Sequence, residues 1–209
     1  MARVAEMGGR PEDMYSYLIE AVQRKEGHFV PDPNAPKGQY NADYSKRERE
    51  TIYVGLKNAV SHHRVSLRLI QAIGDNPKYN KFQPMLKKLR DKVYDELTEK
   101  CEAIATHIMK FSISRKGNST ETEVFFNKMI ADFYRYLAEF TIRTDMKTLG
   151  HCRDKCTKHY TRAWEVSKNG LGFKKALDPC NTTRLSTALH YGNFLNEQMG
   201  QPQQAATIC

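Results

Sequence analysis

Long stretches of the chain lack both glycine and proline and carry apolar residues at helical spacing. Between Lys81 and Lys116 there is no glycine and a single proline, Pro84, and from Ser119 to Leu149 there is neither. The apolar residues of the first stretch follow one another in steps of three and four, which sweep one face of an α-helix: Val93, Leu97, Cys101, Ile104 and Ile108. The pattern predicts a long amphipathic helix.

The second stretch is apolar over more of its surface, which predicts a helix at the centre of the fold. Its apolar residues are Val124, Phe125, Met129, Phe133, Tyr136, Leu137 and Phe140. Further helices are predicted over Glu12 to Lys25, Tyr44 to Gly74, Asp145 to Lys168 and Thr183 to Met199. Asp13, Ser119 and Asp145 are predicted N-caps. Because no segment alternates with period two between hairpin turns, the predicted fold class is all-α.

Two stretches interrupt the helical pattern. Gly27 to Ala42 contains three prolines, and Asn169 to Asn181 contains two glycines and a proline. Both are predicted to be loops. The 209 residues are enough for one domain with a substantial core, so residues 1–209 are predicted to form a single domain.

Composition restricts the class of protein. The chain has 33 lysines and arginines against 24 aspartates and glutamates, a formal net charge of +9. No window approaches the ~18 consecutive apolar residues that a membrane span needs, and the N-terminus has no apolar signal segment. The five cysteines are odd in number and lack paired spacing, which indicates reduced thiols. A soluble protein of the cytoplasm or nucleus, without a membrane partner, is predicted.

The first candidate site is a set of basic residues. Three of them lie within about 40° of one another on one predicted helix: Lys57, Arg64 and Arg68. Lys128 and Arg135 are seven residues apart on the central helix. If the two faces meet, their guanidinium groups could bind a doubly charged phosphate, and Tyr136 could donate a further hydrogen bond. Alternatively, these long side chains extend from packed helices into water.

A second candidate site combines thiols and imidazoles. His151, Cys152, Cys156 and His159 are close in sequence, and the last three share one helix face. They could supply three zinc ligands, but buried thiols on an apolar helix face are commoner, so no metal is predicted. No nucleophile and base stand at a suitable spacing, and no phosphate-binding glycine loop occurs. The sequence therefore predicts neither an enzyme nor a cofactor.

The segment VFFNKMIADFYRYLAE, residues 124–139, closely resembles the fifth-helix motif of the 14-3-3 proteins. A second match, from Gly55 to Arg64, is similar to the third helix of that family. Ala163 to Lys168 and Arg184 to Leu189 follow in the family's order. The resemblance implies a cup-shaped dimer of antiparallel helical protomers. It also implies a non-catalytic adaptor, which binds phosphoserine or phosphothreonine peptides of client proteins in an amphipathic groove.

The resemblance also assigns individual residues. It places the phosphate-binding cluster on Lys57, Arg64, Arg135 and Tyr136, a set that helical spacing had already singled out. It implies a basic residue at the groove edge, a supporting carboxylate, an apolar groove contact and a groove-lining acid, at Lys128, Asp132, Leu189 and Glu197. Across a dimer interface it pairs Arg10 with Glu96 of the partner subunit and Asp13 with Lys92 of the partner subunit.

The chain also departs from the family pattern. His190 replaces the asparagine that clamps the peptide backbone, only about half of the first helix precedes Asp13, and the last helix or helices are missing. Gly27 to Ala42 is an insertion, and Asn169 to Asn181 is longer than usual. An alternative function is therefore a dimeric scaffold, homomeric or paired with a relative, that binds phosphopeptides weakly or not at all. Nucleic-acid binding ranks lowest because acidic residues interrupt the basic ones.

Overall fold

The computed structural model describes residues 1–27, 43–114, 117–142 and 145–208, and these confirm the all-α prediction. Within these ranges the chain forms eight α-helices: α1 Ala2–Met7, α2 Pro11–Gly27, α3 Lys46–Gly74, α4 Gln83–Ile108, α5 Thr120–Phe140, α6 Met146–Asn169, α7 Thr182–Glu197 and α8 Pro202–Ile208. A 3₁₀ segment, Pro77–Phe82, precedes α4, and a π-helical turn, Met109–Ile113, extends it. The loop predicted over Gly27 to Ala42 lies outside the described residues, apart from Gly27, which is the last residue of α2.

Side-chain caps fix where several helices begin. Ser45 and Glu48 form a reciprocal capping box at the start of α3. At α5 the Ser119 hydroxyl accepts a hydrogen bond from the Thr122 backbone amide at 3.1 Å. At α6 the Asp145 carboxylate accepts one from the Thr148 amide at 3.1 Å. The caps predicted at Ser119 and Asp145 are therefore confirmed.

The N-cap predicted at Asp13 is wrong. Helix α2 begins at Pro11, so Asp13 lies inside its first turn. Proline suits the first helical position because its fixed φ is already helical and its missing amide hydrogen would have had no helical partner. Asp13 instead forms an ion pair with Arg10, and its charge favours the positive end of the helix dipole.

Helix α5 is the centre of the molecule, as its apolar pattern predicted. It packs against α3, α4, α6 and α7, and 17 of its 21 residues are buried. The buried residues include Lys128 and Asp132, which are charged groups that a core accepts only when they are paired. Because α5 packs against α3 and α7, its charged residues Lys128 and Asp132 are buried close to these two helices.

The loop predicted after α6 is present over residues 170–181. It turns at Gly170, whose φ is +84°, and a Cβ atom there would lie 2.1 Å from the carbonyl oxygen of Lys174. The loop returns to α6 through a hydrogen bond from the Leu177 amide to the Ser167 carbonyl, 2.9 Å. No helix among the described residues is long and apolar enough to cross a membrane.

Candidate anion-binding site

The two predicted arginines meet at the ring of Tyr136. Arg64 reaches the ring from α3, with its guanidinium carbon 3.7 Å from the ring centroid. Arg135, on α5 beside Tyr136, has its guanidinium carbon 5.3 Å from the same centroid. The structure thus brings together two cations that are 71 residues apart in the sequence. Each cation interacts favourably with the same aromatic ring, and these cation–π contacts partly offset the repulsion between the two guanidinium groups.

Two lysines gather around a neighbouring tyrosine, Tyr53. The ammonium nitrogens of Lys57 and Lys128 lie 5.8 and 4.9 Å from the Tyr53 ring centroid. Tyr53 and Tyr136 lie close enough for each phenol to influence the pKa of the other. Burial and the Asp132 carboxylate raise the pKa of both phenols, so both keep their protons at neutral pH. The four predicted phosphate ligands, Lys57, Arg64, Arg135 and Tyr136, therefore border one site together with Lys128.

The fully buried carboxylate of Asp132 binds several of the side chains around this site. It accepts hydrogen bonds from Lys128 Nζ at 2.7 Å, Tyr160 Oη at 2.6 Å and His190 Nδ1 at 2.7 Å. Arg135 Nη2 lies 3.8 Å from the same carboxylate. Burial alone would raise the pKa of Asp132, but Lys128, His190 and Arg135 outweigh burial and hold the pKa well below its usual value. Asp132 is therefore ionised and acts only as an acceptor.

A second carboxylate, Glu139, was missed by the sequence analysis. It accepts a hydrogen bond from Arg64 Nη2 at 2.9 Å and two from Arg68, at 2.7 and 3.0 Å. Burial would raise the pKa of Glu139, but these hydrogen bonds outweigh it and lower the pKa. A signal was available, because Glu139 follows Lys128, Asp132 and Arg135 in steps of four, three and four along one face of α5.

The site holds more positive than negative charge. Two carboxylates, Asp132 and Glu139, face five cationic side chains: Lys57, Arg64, Arg68, Lys128 and Arg135. The Nε atom of Arg64 is buried and has no hydrogen-bond partner in the described part of the chain. A buried donor without a partner is uncommon and calls for an explanation. An anion that accepts from this nitrogen would satisfy it and reduce the repulsion among the cations.

A cavity extends the site towards α7. Its lining includes Tyr53, Phe125 and Lys128 on one side and Thr182, Thr183 and Ser186 of α7 on the other. Further along α7, Leu189 is 56% exposed, and His190 reaches back to Asp132. Glu197, the last residue of α7, is exposed and takes no part in the Asp132 network. Two arginines, a cavity and an exposed leucine thus lie on α3, α5 and α7.

The two thiols of α6 and His159 are buried in the core, whereas His151 is exposed. Cys156 Sγ lies 3.5 Å from the Ala131 carbonyl, and His159 Nδ1 lies 2.9 Å from Asn127 Oδ1. Burial raises the pKa of Cys152 to about 11 and lowers that of His159 to about 4. Among the described residues, no three histidines, cysteines or acidic groups could hold a metal ion.

Comparisons with known proteins give one family. The profile described as 14-3-3 protein matches residues 1–209. The chain is 31% identical over 208 residues to 14-3-3-like protein 2 of Caenorhabditis elegans, covering 99% of this chain and 73% of that protein. It is 31% identical over 199 residues to 14-3-3-like protein GF14 epsilon of Arabidopsis thaliana, with coverages of 94% and 70%. A 14-3-3 protein of Eimeria tenella is 28% identical over 210 residues, with coverages of 99% and 71%.

Proposed function

Because the chain belongs to the 14-3-3 family of adaptor proteins, we propose that its anion-binding site holds the phosphate of phosphoserine or phosphothreonine peptides. The protein then acts as an adaptor that docks phosphorylated client proteins along the surface formed by α3, α5 and α7. It needs no cofactor for this role and catalyses no reaction.

The observation that carries this proposal is the approach of Arg64 and Arg135 to one tyrosine ring. Two guanidinium groups present planar forks of donors, and such forks match the oxygens of a phosphate dianion. Lys57 and the protonated Tyr136 hydroxyl add a point charge and a further donor. The buried Nε of Arg64 is a further donor that has no hydrogen-bond partner among the described residues. A doubly charged ligand fits this excess of donors better than a neutral one.

A peptide titration tests the proposal. A labelled peptide of the Arg-Ser-X-pSer-X-Pro type and its unphosphorylated twin are titrated with the protein at physiological salt, and fluorescence anisotropy is followed. We expect saturable binding of the phosphopeptide and at least about 100-fold weaker binding of the twin, since several charge-assisted hydrogen bonds of ~1.5–3 kcal/mol each are lost. Equal or absent binding of the two peptides would instead favour the scaffold function.

Dimer formation with a second copy or a related protein is a second part of the proposal. Apolar residues at steps of four are exposed on α3 at Val65, Leu69 and Ile73, and on α4 at Met85 and Leu89. Helices α3 and α4 pack against each other, so the two rows lie on neighbouring helices. Exposed apolar surface of this kind is typical of protein interfaces.

Charged residues flank these apolar rows. Within the protomer Arg10 is paired with Asp13, and Lys92 lies 4.0 Å from Glu96. In a dimer the same charges could exchange partners, Arg10 with Glu96 of the partner subunit and Asp13 with Lys92 of the partner subunit. Such exposed pairs contribute only ~0–1 kcal/mol each. They would therefore fix the relative orientation of the two subunits more than the strength of their association.

Replacing Leu69 by glutamate is expected to weaken self-association by more than about 100-fold. Each dimer loses two leucine side chains from its interface, at ~1.5–3 kcal/mol per side chain, and gains two charges. Equilibrium sedimentation measures the effect. Leu185→Glu, a similarly exposed leucine on α7, is the matched control and should leave the dimer intact. Equal dissociation of both variants would contradict the assignment of the interface to α3 and α4.

A further inference from the structure

The hydrogen bond between His190 and Asp132 fixes which ring nitrogen of the histidine carries a proton. His190 Nδ1 lies 2.7 Å from Oδ1 of Asp132. The ionised carboxylate has no proton to donate, so the hydrogen of this bond belongs to Nδ1. The Nε2 atom of a neutral His190 therefore carries no hydrogen, and it can accept a hydrogen bond but cannot donate one.

The groups around His190 keep their charge near neutral pH. Lys128 and Arg135 of α5 are cations, and Asp132 is an anion whose pKa is lowered by these partners. Burial and Asp132 raise the pKa of Tyr160, from α6, well above its ordinary value. Histidine is the side chain that ordinarily changes its charge between pH 5 and 8. Among the side chains that meet Asp132 in the described structure, His190 is the only imidazole.

His190 lies within reach of a peptide that uses Arg135. His190 Nδ1 and Arg135 Nη2 are 2.7 and 3.8 Å from the same oxygen of Asp132. A phosphate bound to Arg135 would therefore be separated from His190 by no more than about two residues of extended peptide, at ~3.5 Å per residue. The His190 side chain is one quarter exposed, so part of it is accessible to such a ligand.

We propose that His190 is a specificity-determining residue whose protonation changes which peptides the groove prefers. Neutral His190 accepts a hydrogen bond from a peptide N–H group. Protonated His190 donates from Nε2 and favours a carboxylate next to the phosphorylated residue. An asparagine at this place would offer a donor and an acceptor at every pH. This inference rests on the proposed phosphopeptide-binding function.

The test compares four phosphoserine peptides that differ in one side chain. Two carry aspartate directly before or directly after the phosphoserine, and two carry asparagine at the same places. Dissociation constants are measured by anisotropy near pH 6 and near pH 8 at constant ionic strength, for the wild type and for His190→Asn. Because the same peptide pairs are measured with His190→Asn, any effect of the phosphate's own titration near pH 6 occurs in both proteins and is removed when the two are compared.

We expect the preference of the wild type for at least one aspartate peptide to increase by about 3- to 10-fold from pH 8 to pH 6, since a charge-assisted hydrogen bond replaces a repulsive contact. In His190→Asn the ratio should change clearly less than in the wild type. A constant ratio in the wild type, or an equal change in both proteins, would overturn the inference. Loss of phosphate-dependent binding at both pH values would overturn the proposed function, and this inference with it.

A second measurement needs no peptide. Nitrogen-15 NMR of the histidine side chains distinguishes a protonated from a bare ring nitrogen, and His190→Asn identifies the signals of His190. We expect Nδ1 protonated and Nε2 bare near pH 8. The reverse tautomer would overturn the inference even if phosphopeptides bind.

Discussion

Replacing Arg135 by alanine is expected to lower the affinity for a phosphoserine peptide by about 2–5 kcal/mol, a loss of more than about 30-fold in Kd. The guanidinium lies beside Tyr136 and Arg64 and is largely buried against Asp132 and Tyr160. Its bonds to a phosphate would therefore form away from bulk water. Truncating Arg135 would leave the phosphate and the Asp132 carboxylate without one of their cationic partners. Calorimetric titration with the phosphopeptide measures the change.

Two further variants distinguish the effect of the positive charge from the effect of the planar guanidinium donors. Arg135→Lys keeps the positive charge but loses the planar pair of donors, so we expect an affinity between those of the wild type and the alanine variant. Arg24→Ala removes an equal charge from α2, where Arg24 is exposed and paired with Glu20, and should change the affinity less than about twofold. An unchanged affinity for Arg135→Ala would contradict the proposed mechanism of phosphate binding.

Replacing Asp132 by asparagine is expected to reduce the free energy of unfolding by about 3–5 kcal/mol, because a buried ion pair loses one partner. Lys128 keeps its charge beneath the surface, and Tyr160 and His190 lose a charged acceptor. The interaction stabilises the fold above the pKa of an unfolded aspartate, ~3.9, and is lost as the pH falls through the lowered pKa of the folded state. Urea denaturation near pH 7 measures the loss.

Two comparisons make this prediction specific. Asp91→Asn removes a carboxylate that is paired with Arg90 and about half exposed, and it should cost less than about 1 kcal/mol. Asp132→Asn combined with Lys128→Met removes both charges of the buried pair and should recover part of the stability. A loss below about 1 kcal/mol for Asp132→Asn alone would show that the network is not a major stabilising element.

The helices could be predicted from the sequence because their signals are local. The steps of three and four along α4 and α5 and the caps at Ser119 and Asp145 concern residues within a few turns of each other. Helix α1, six residues from Ala2 to Met7, is too short to show such a periodicity. The start of α2 was misplaced because Pro11 and Asp13 both suit a helix N-terminus, and the proline determined it.

The site could be predicted only in part. Spacing placed Lys57 and Arg64 on one helical face, and Lys128 and Arg135 on another. It could not show that these faces meet, which depends on how α3 packs on α5. The partners of Asp132 are spread from Lys128 to His190, and His190 lies 58 residues away along the chain. Such a contact leaves no periodic signal, so the substitution at His190 could be noticed, but not its pairing.

Under the proposed function, the pairing of Glu139 with Arg64 and Arg68 implies that a bound phosphate would displace a carboxylate of the protein itself. Without a ligand, the protein's own carboxylate already occupies donors of both arginines. A monovalent carboxylate on a peptide offers these arginines no more charge than Glu139 does, and it gains little by competing. A phosphate dianion brings twice the charge and three acceptor oxygens. A ligand that carries more charge than Glu139 would therefore be favoured at these arginines, and the site would prefer a phosphorylated side chain to an acidic one.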